Sequence, residues 1–292
     1  MGDFSAAFYG FSIGKWRATV VSDGWLKLPP AETVFPNCDP ETARDLLERD
    51  LLPTDCLLLQ ENALLVEIQD KLVLFDGGMG HRTIFGTNSG RLLPNLRAAG
   101  YAPEQVDMVC ITHPHTDHVW GLTDAEGRRN FPNAEICLSR LDHDYWTDLS
   151  HIGENPREIF KLAIEGAKSN LDAYGNRLRL LDDGEEICPG LTTVATPGHT
   201  FGHISFLISS ENEQLMVIGD SLHHAMQFRH PEWEYWGDSD RDLAVCSRRM
   251  MMETAEAGNI RILGYHLPYP GLGRVRREGE GFVFVPEQMH LD

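Results

Sequence analysis

Ile111-Thr112-His113-Pro114-His115-Thr116-Asp117-His118 is the stretch on which the reading of this chain turns. It overlaps the end of the apolar run Met108-Val109-Cys110-Ile111, which reads as a strand, and it puts three imidazoles and a carboxylate within six residues. Strands of this kind end at the carboxyl edge of a sheet, where active sites collect. Neutral imidazole nitrogens and carboxylate oxygens are ligands for zinc-type cations. Packed this tightly on one loop, four such groups would repel and desolvate one another without a cation. The spacing divides them: His113 and His115 point one way, Asp117 and His118 another, so two sites are expected. A solvated, His-rich loop is the alternative, and the recurrence of compatible ligands downstream, in order, argues against it.

Those later ligands close three further apolar runs. They are Thr196-Pro197-Gly198-His199-Thr200, Ile218-Gly219-Asp220 and Gly264-Tyr265-His266-Leu267-Pro268. Together the four segments supply five histidines and two aspartates, the number that two metals need when they share one carboxylate.

Working outward, residues 16–22 read as a β-branched strand closing at Asp23-Gly24. Residues 29–61 depart from strand alternation and read as an inserted helical segment. A helix starts there at Asp39-Pro40-Glu41, with Asp39 as cap and Pro40 in the first position. Ala43, Leu46, Leu47 and Leu51 give it one apolar face, suited to covering the active site or meeting another subunit. Residues 63–68 and 72–75 form a hairpin turning at Gln69-Asp70 and ending in Asp76-Gly77-Gly78. Helices are expected at 91–99, 154–170 and 240–257. Strands are expected at 108–112, 135–138, 191–195, 204–208, 215–218, 261–265 and 282–285. The strands come in two batches, each followed by helices, which implies two sheets packed face to face with helices outside, in a single domain over 1–292.

Composition narrows the function. The 292 residues carry a formal net charge of −19, and 42% are hydrophobic. Nucleic acid is bound largely through Lys and Arg on phosphate, and anionic membranes likewise attract basic segments, so neither is expected as a partner. A neutral or modestly charged small molecule fits better. The six cysteines are scattered with no C-x-x-C pair, and they read as free thiols of a reducing compartment. Met1-Gly2-Asp3-Phe4-Ser5 lacks a basic region followed by an apolar stretch, so a cytoplasmic setting is expected, and a trimmed leader would allow a periplasmic one. No window reaches the roughly 18 apolar residues of a membrane span.

The string H-x-H-x-D-H at 113–118, G-H at 198–199, G-D at 219–220 and a late His266 resembles the metallo-β-lactamase-fold hydrolases, in order over nearly the whole chain. The resemblance implies an α/β (α+β) fold, the four-layer αββα sandwich, with the site at one edge between the sheets. It implies that His113, His115 and His199 hold one metal, that Asp117, His118 and His266 hold a second, and that Asp220 and a hydroxide bridge them. Asp117 would also take a proton from water, and Asp76 would orient a ligand histidine. Two divalent ions are expected, zinc foremost, with manganese, cobalt or iron compatible with the same donors.

Within that superfamily, several segments look like methyl parathion hydrolase and its relatives. They are Phe85-Gly86-Thr87 through Gly90-Arg91-Leu92, residues 96–101 and 103–107, Phe228, His266-Leu267-Pro268 through Pro270-Gly271, and Gly279 through Pro286. That group includes organophosphate hydrolases, lactonases and aryl esterases, and a homodimer is its usual assembly. The resemblance places Phe85, Trp146 and Phe160 around the leaving group, with core packing as the alternative for each. Trp120 stands where relatives usually carry Gly, and Phe201 where they carry Pro. His223 and His224 stand where they are apolar. Trp120, His223, His224 and Phe228 are therefore read as substrate-facing, and His203 as structural. The expected activity is hydrolysis of lactones, aryl or alkyl esters, or organophosphate triesters by a metal-bridging hydroxide. A hydrolytic dehalogenase of chlorinated aromatics and an iron-dependent oxidoreductase of the same fold are the alternatives. A nuclease is disfavoured by charge, and a non-catalytic binding module by the complete ligand set.

Overall fold

The structure is a computed structural model and describes residues 7–154 and 157–289. Met1-Gly2-Asp3-Phe4-Ser5 and the start of the helix expected at 154–170 lie wholly or partly outside the described residues.

Seven strands lie side by side in chain order in the first sheet: β1 (Phe8–Ile13), β2 (Trp16–Leu28), β3 (Leu57–Ile68), β4 (Lys71–Phe75), β5 (Met108–Cys110), β6 (Glu135–Ser139) and β7 (Leu178–Leu181). The pairings are antiparallel as far as β4 and parallel beyond it. Helices α1 (Ala31–Val34), α2 (Pro40–Arg49), α3 (Leu92–Ala98), α4 (Thr116–Val119), α5 (Arg140–Trp146) and α6 (Glu158–Asp172) belong to this half. The second sheet has β8 (Glu186–Cys188), β9 (Leu191–Ala195), β10 (Ile204–Ser210), β11 (Glu213–Val217), β12 (Arg261–Leu263), β13 (Leu272–Glu278) and β14 (Gly281–Pro286), with the order running from β14 to β8. Helices α7 (Met226–Arg229) and α8 (Arg241–Ala257) lie in this second half.

The strands are apolar on both faces because both faces are covered. Val73, Phe75, Met108 and Cys110 face a core between the sheets, where they meet Phe206, Ile208, Leu215 and Val217. Their neighbours Leu74 and Val109 turn the other way and pack under Leu96 of α3 and Ile164, Ala167 and Leu171 of α6. In the second sheet Met216, Ile218 and Ile262 pack against Met251, Met252 and Ala255 of α8. The period of two along each strand thus produces three cores and the four layers expected from the sequence. All six cysteines are free thiols. No helix among the described residues is long and apolar enough to cross a membrane.

The expected 29–61 insertion is shorter than its reading. Its helices are α1 and α2, and residues 57–61 belong to β3, where Leu57, Leu58 and Leu59 pair with Leu28, Lys27 and Leu26. The leucine run hid a strand, since β2 continues past Asp23-Gly24 through a bulge and gives it a partner. Asp39 caps α2 as expected, its Oδ2 accepting from the Thr42 N–H at 2.9 Å. Leu51 leaves the apolar face: the helix has ended, the residue is left-handed, and it is 92% exposed. The helix expected at 154–170 runs from Glu158 to Asp172.

Trp120 does not face a pocket. It is 3% exposed and lies in the core under α6, and a Cβ on Gly166 would collide with its indole nitrogen. The short helical turn after α4 swings the side chain inward, so its size fills the core. Trp120→Ala is therefore expected to destabilise the fold by about 3–5 kcal/mol, read as a shift of the urea midpoint. A change in substrate preference without loss of stability would contradict this placement.

Candidate metal centre

Four strand ends bring the ligand-type residues together. His113, His115, Asp117 and His118 follow β5 and open α4, His199 follows β9, Asp220 follows β11, and His266 follows β12. One sheet supplies the first strand and the other sheet the remaining three, so the cluster sits at the edge between them. Glycines permit the approach. Gly198 has φ 129° and passes against the backbone of Ala244, where a Cβ would collide. Gly219 has φ 47° and passes within 2.8 Å, measured from an ideal Cβ, of Thr112 and His203.

The cluster is dense. His115 Nδ1 lies 2.9 Å from His199 Nε2, and His113 joins them in a group whose ligand atoms lie within 4.8 Å of one another. Asp117, His118 and His266 form a second such group, and Asp220 meets His113 and His118 in a third. Asp220 Oδ2 lies 3.2 Å from His266 Nε2, 3.4 Å from His199 Nε2 and 3.8 Å from His113 Nε2, while Oδ1 lies 3.3 Å from His118 Nε2. Asp117 Oδ2 lies 3.4 Å from His266 Nε2 and 3.6 Å from His118 Nε2. His113 Nε2, His118 Nε2 and Asp220 Oδ1 are buried without a hydrogen-bond partner. Buried polar atoms are rarely left so, and these converge on one region. The donor set of imidazole nitrogens and carboxylate oxygens fits divalent metal ions.

The far sides of His118, His113 and His266 are held by partners of their own. His118 Nδ1 lies 2.9 Å from Asp76 Oδ2. Asp76 Oδ1 also accepts from the Thr112 N–H at 2.8 Å, and Thr112 Oγ1 contacts His113 Nδ1 at 3.1 Å. His266 Nδ1 donates to the Gln60 carbonyl at 2.8 Å. His203 Nε2 accepts from the Asp220 N–H at 3.0 Å, the structural role expected of it.

Burial, then neighbouring imidazoles, hold His113 and His115 well below the ordinary histidine range, and burial does the same for His199, so all three are neutral and fit to ligate. Burial also opposes charge on His118, but Asp220, Asp76 and Asp117 outweigh it and hold the ring well above that range. His266 is raised likewise against burial, by Asp220 and Asp117. Burial would raise Asp220, and His266, His118, His223 and His113 outweigh it, so its carboxyl stays well below the usual range.

The substrate-facing expectations divide. Trp146 packs edge-on against His115 with centroids 4.7 Å apart, and Phe160 lies 5.4 Å from Trp146. Tyr145 and Phe201 extend this wall outward, at 5.5 Å from Trp146 and 5.1 Å from Tyr145 respectively. His223 is buried with its Nε2 3.2 Å from Asp220 Oδ2, and its ring stacks on Tyr235 at 3.5 Å. Phe85 is half-buried and packs at the border of the α6-side core.

Two expectations are corrected. His224 turns away from the cluster: its Nδ1 accepts from the Met226 N–H, and the carboxylate acting on it is Asp50 at the end of α2. Phe228 is fully buried in the outer core of the second sheet, stacked on Phe284 at 5.5 Å. Phe228 lies in α7, whose single turn packs on β14 and turns it into that core, and His224 precedes the turn and is held by its first N–H.

Three residues beside the cluster escaped the sequence reading. Asp238 contacts His199, Tyr235 stacks on His223, and Asp142 of α5 accepts from Thr200 Oγ1 at 2.5 Å and the Gly202 N–H at 2.8 Å. None sits in a ligand motif. The aromatic run Trp233-Glu234-Tyr235-Trp236 was the available signal for a wall near the site.

Comparison with known proteins agrees with this geometry. A family model described as the metallo-beta-lactamase superfamily matches residues 57–257. An N-acyl homoserine lactonase of Bacillus cereus is 25% identical over 227 residues, covering 72% of this chain and 82% of that protein. The structure of AidC, a dizinc quorum-quenching lactonase in complex with a product N-hexanoyl-L-homoserine, superposes with a TM-score of 0.90 at 29% identity, covering 98% of this chain and 99% of that one. The hydrolase AbOPH of the β-lactamase superfamily superposes with a TM-score of 0.92 at 29% identity, covering 99% and 100%.

Asp76→Ala is expected to weaken metal binding at the His118 side roughly 10- to 100-fold, read by chelator competition. Unchanged affinity at both sites would sink the assignment. Asp142 gives a pH test. Burial raises its carboxyl from 3.8 to about 7, so the folded state favours the protonated form. The stability this contributes is full below the unfolded value and is lost as pH rises through about 7. From pH 6 to pH 8, wild type should lose about 1 kcal/mol relative to Asp142→Asn in urea unfolding. Parallel pH curves for the two proteins would refute it.

Proposed function

The chain belongs to the metallo-β-lactamase superfamily, and we propose that it works there as a dizinc lactonase, opening a neutral cyclic ester to its hydroxy acid. It is a metal-dependent hydrolase, as its homologues and structural neighbours are. The observation that carries the proposal is the convergence of seven His and Asp side chains, Asp220 at their centre, beside an aromatic wall. The names of the relatives support the lactone, and the dizinc AidC supports zinc.

His113, His115, His199 and Asp220 would hold one ion, and Asp117, His118, His266 and Asp220 the other. When bound, such a pair supplies Lewis acidity and lowers the pKa of water. The protein's own groups do the rest. Asp117 accepts a proton from the attacking water and returns it to the ring oxygen as the acyl–oxygen bond breaks. His223, neutral because burial lowers it despite Asp220, offers an imidazole beside the reacting carbonyl. Trp146, buried against His115, excludes water from that side, and the half-buried Phe160 beside it meets the apolar part of the substrate. The same chemistry extends to activated aryl esters and phosphotriesters as lesser substrates, since each presents an electrophile and a good leaving oxygen.

The test is kcat/KM on zinc-loaded protein for an N-acyl homoserine lactone, an aryl ester and a dialkyl aryl phosphate. The lactone is expected to lead, and Asp220→Ala should lose roughly a thousandfold or more, the scale on which removal of a transition-state-stabilising group acts. A lead for the phosphate, or lactone turnover that survives chelation, would overturn the reading.

A further inference from the structure

We propose that Asp238 is a positioning residue for one of the two metal sites: it fixes the tautomer and plane of His199, and its loop fixes the plane of His223 through Tyr235. The inference rests on His199 being a metal ligand.

Asp238 and His199 are both buried, at 8% and 3% exposure, and Asp238 Oδ1 lies 2.9 Å from His199 Nδ1. A carboxylate there can only accept, so Nδ1 carries the proton and Nε2 is left free to face Asp220. His118, His113 and His266 have Asp76, Thr112 and the Gln60 carbonyl on their far sides. Without Asp238, the Nδ1 of His199 would have no such partner.

The carboxylate is itself held. Asp238 Oδ2 accepts from the Tyr235 N–H at 3.2 Å and lies 3.6 Å from Arg248 Nη2. Arg248 of α8 is fully buried. Its Nε donates to the carbonyl of Ser221, next to Asp220, and its Nη1 donates to the carbonyls of Pro231 and Trp233. One guanidinium therefore ties the loop bearing Asp238 to the backbone bearing Asp220. The loop is stitched to the His199 turn as well, by Ser239 N–H to the His199 carbonyl at 3.1 Å and Asp240 N–H to the Gly198 carbonyl at 2.9 Å.

The inserted segment after β2 braces this loop from the other side. Trp236 N–H donates to the Val34 carbonyl at 2.9 Å, Glu234 N–H to Asn37 Oδ1 at 2.7 Å, and Asn37 Nδ2 to the Glu232 carbonyl at 2.9 Å. Phe35 packs against Tyr235, whose other neighbour is the His223 ring. The segment thus supports two imidazoles without touching either metal site.

A buried Asp–Arg pair that merely holds the loop would have a different signature, and zinc affinity separates the two. In Asp238→Asn, chelator competition should show the His199 site weakened roughly 10- to 100-fold with the other site at wild-type affinity. Wild-type affinity at both sites, or parallel weakening of both, would overturn the proposal. If the variant does not fold, the unmutated zinc-loaded protein decides: imidazole 15N NMR should show His199 protonated at Nδ1, and protonation at Nε2 would overturn it. A wild-type protein that binds no zinc would instead remove the metal-centre reading on which this one stands.

Discussion

Asp220 is a single carboxylate, 4% exposed, with imidazoles from three other chain segments gathered round it. Burying that many ionisable groups is unfavourable unless opposite charges and protons are shared among them. Here the sharing is geometric. One oxygen faces His266, His199 and His113, the other faces His118, and the backbone N–H is taken by His203. The arrangement constrains the sandwich around it. β9, β11 and β12 must end level with one another in one sheet, and β5 must end opposite them in the other. The registers Ile208↔Leu191, Ile208↔Leu215 and Leu215↔Arg261 place those ends side by side.

The two halves of the cluster are not alike. His113, His115 and His199 give one half three neutral nitrogens, and burial keeps them so. The other half, with Asp117 and the influence of Asp76, is richer in oxygen and negative charge, and its imidazoles are drawn toward protonation. Nitrogen-rich sites favour borderline ions, and oxygen-rich sites tolerate harder ones. The asymmetry arises within a single fold edge because two carboxylates, Asp117 and Asp76, meet the rings of one half, where the other half has Asp238 alone behind His199.

The parts legible in the sequence were those encoded locally. All seven ligand-type residues fall within a few positions of an apolar run that became a strand, and Asp76 was found by the same logic. The sandwich was legible because strands buried on both faces are apolar throughout. β1, β7, β8 and β13 were missed: β8 is three residues long, and β1 alternates around Gly10 with an exposed face. Trp120, His224 and Phe228 were placed at the site because of where they fall along the chain, which does not say which way a side chain turns. A short helical turn decides it for Trp120 and Phe228, and a hydrogen bond from the Met226 N–H for His224. Asp238 lies 39 residues from His199, and only the folded loop brings them together.

The insertion between β2 and β3 touches the chemistry at one remove. Toward the cluster its contacts fall on Trp233, Tyr235 and the backbone around them, and the ligand-bearing turns are built elsewhere. A change in its length or in the angle of Phe35 would bear on Tyr235 and the His223 ring stacked on it, while the seven metal-ligating side chains keep their own supports. Heritable variation in this segment therefore acts on the His223 side of the cluster without removing a metal-ligating residue.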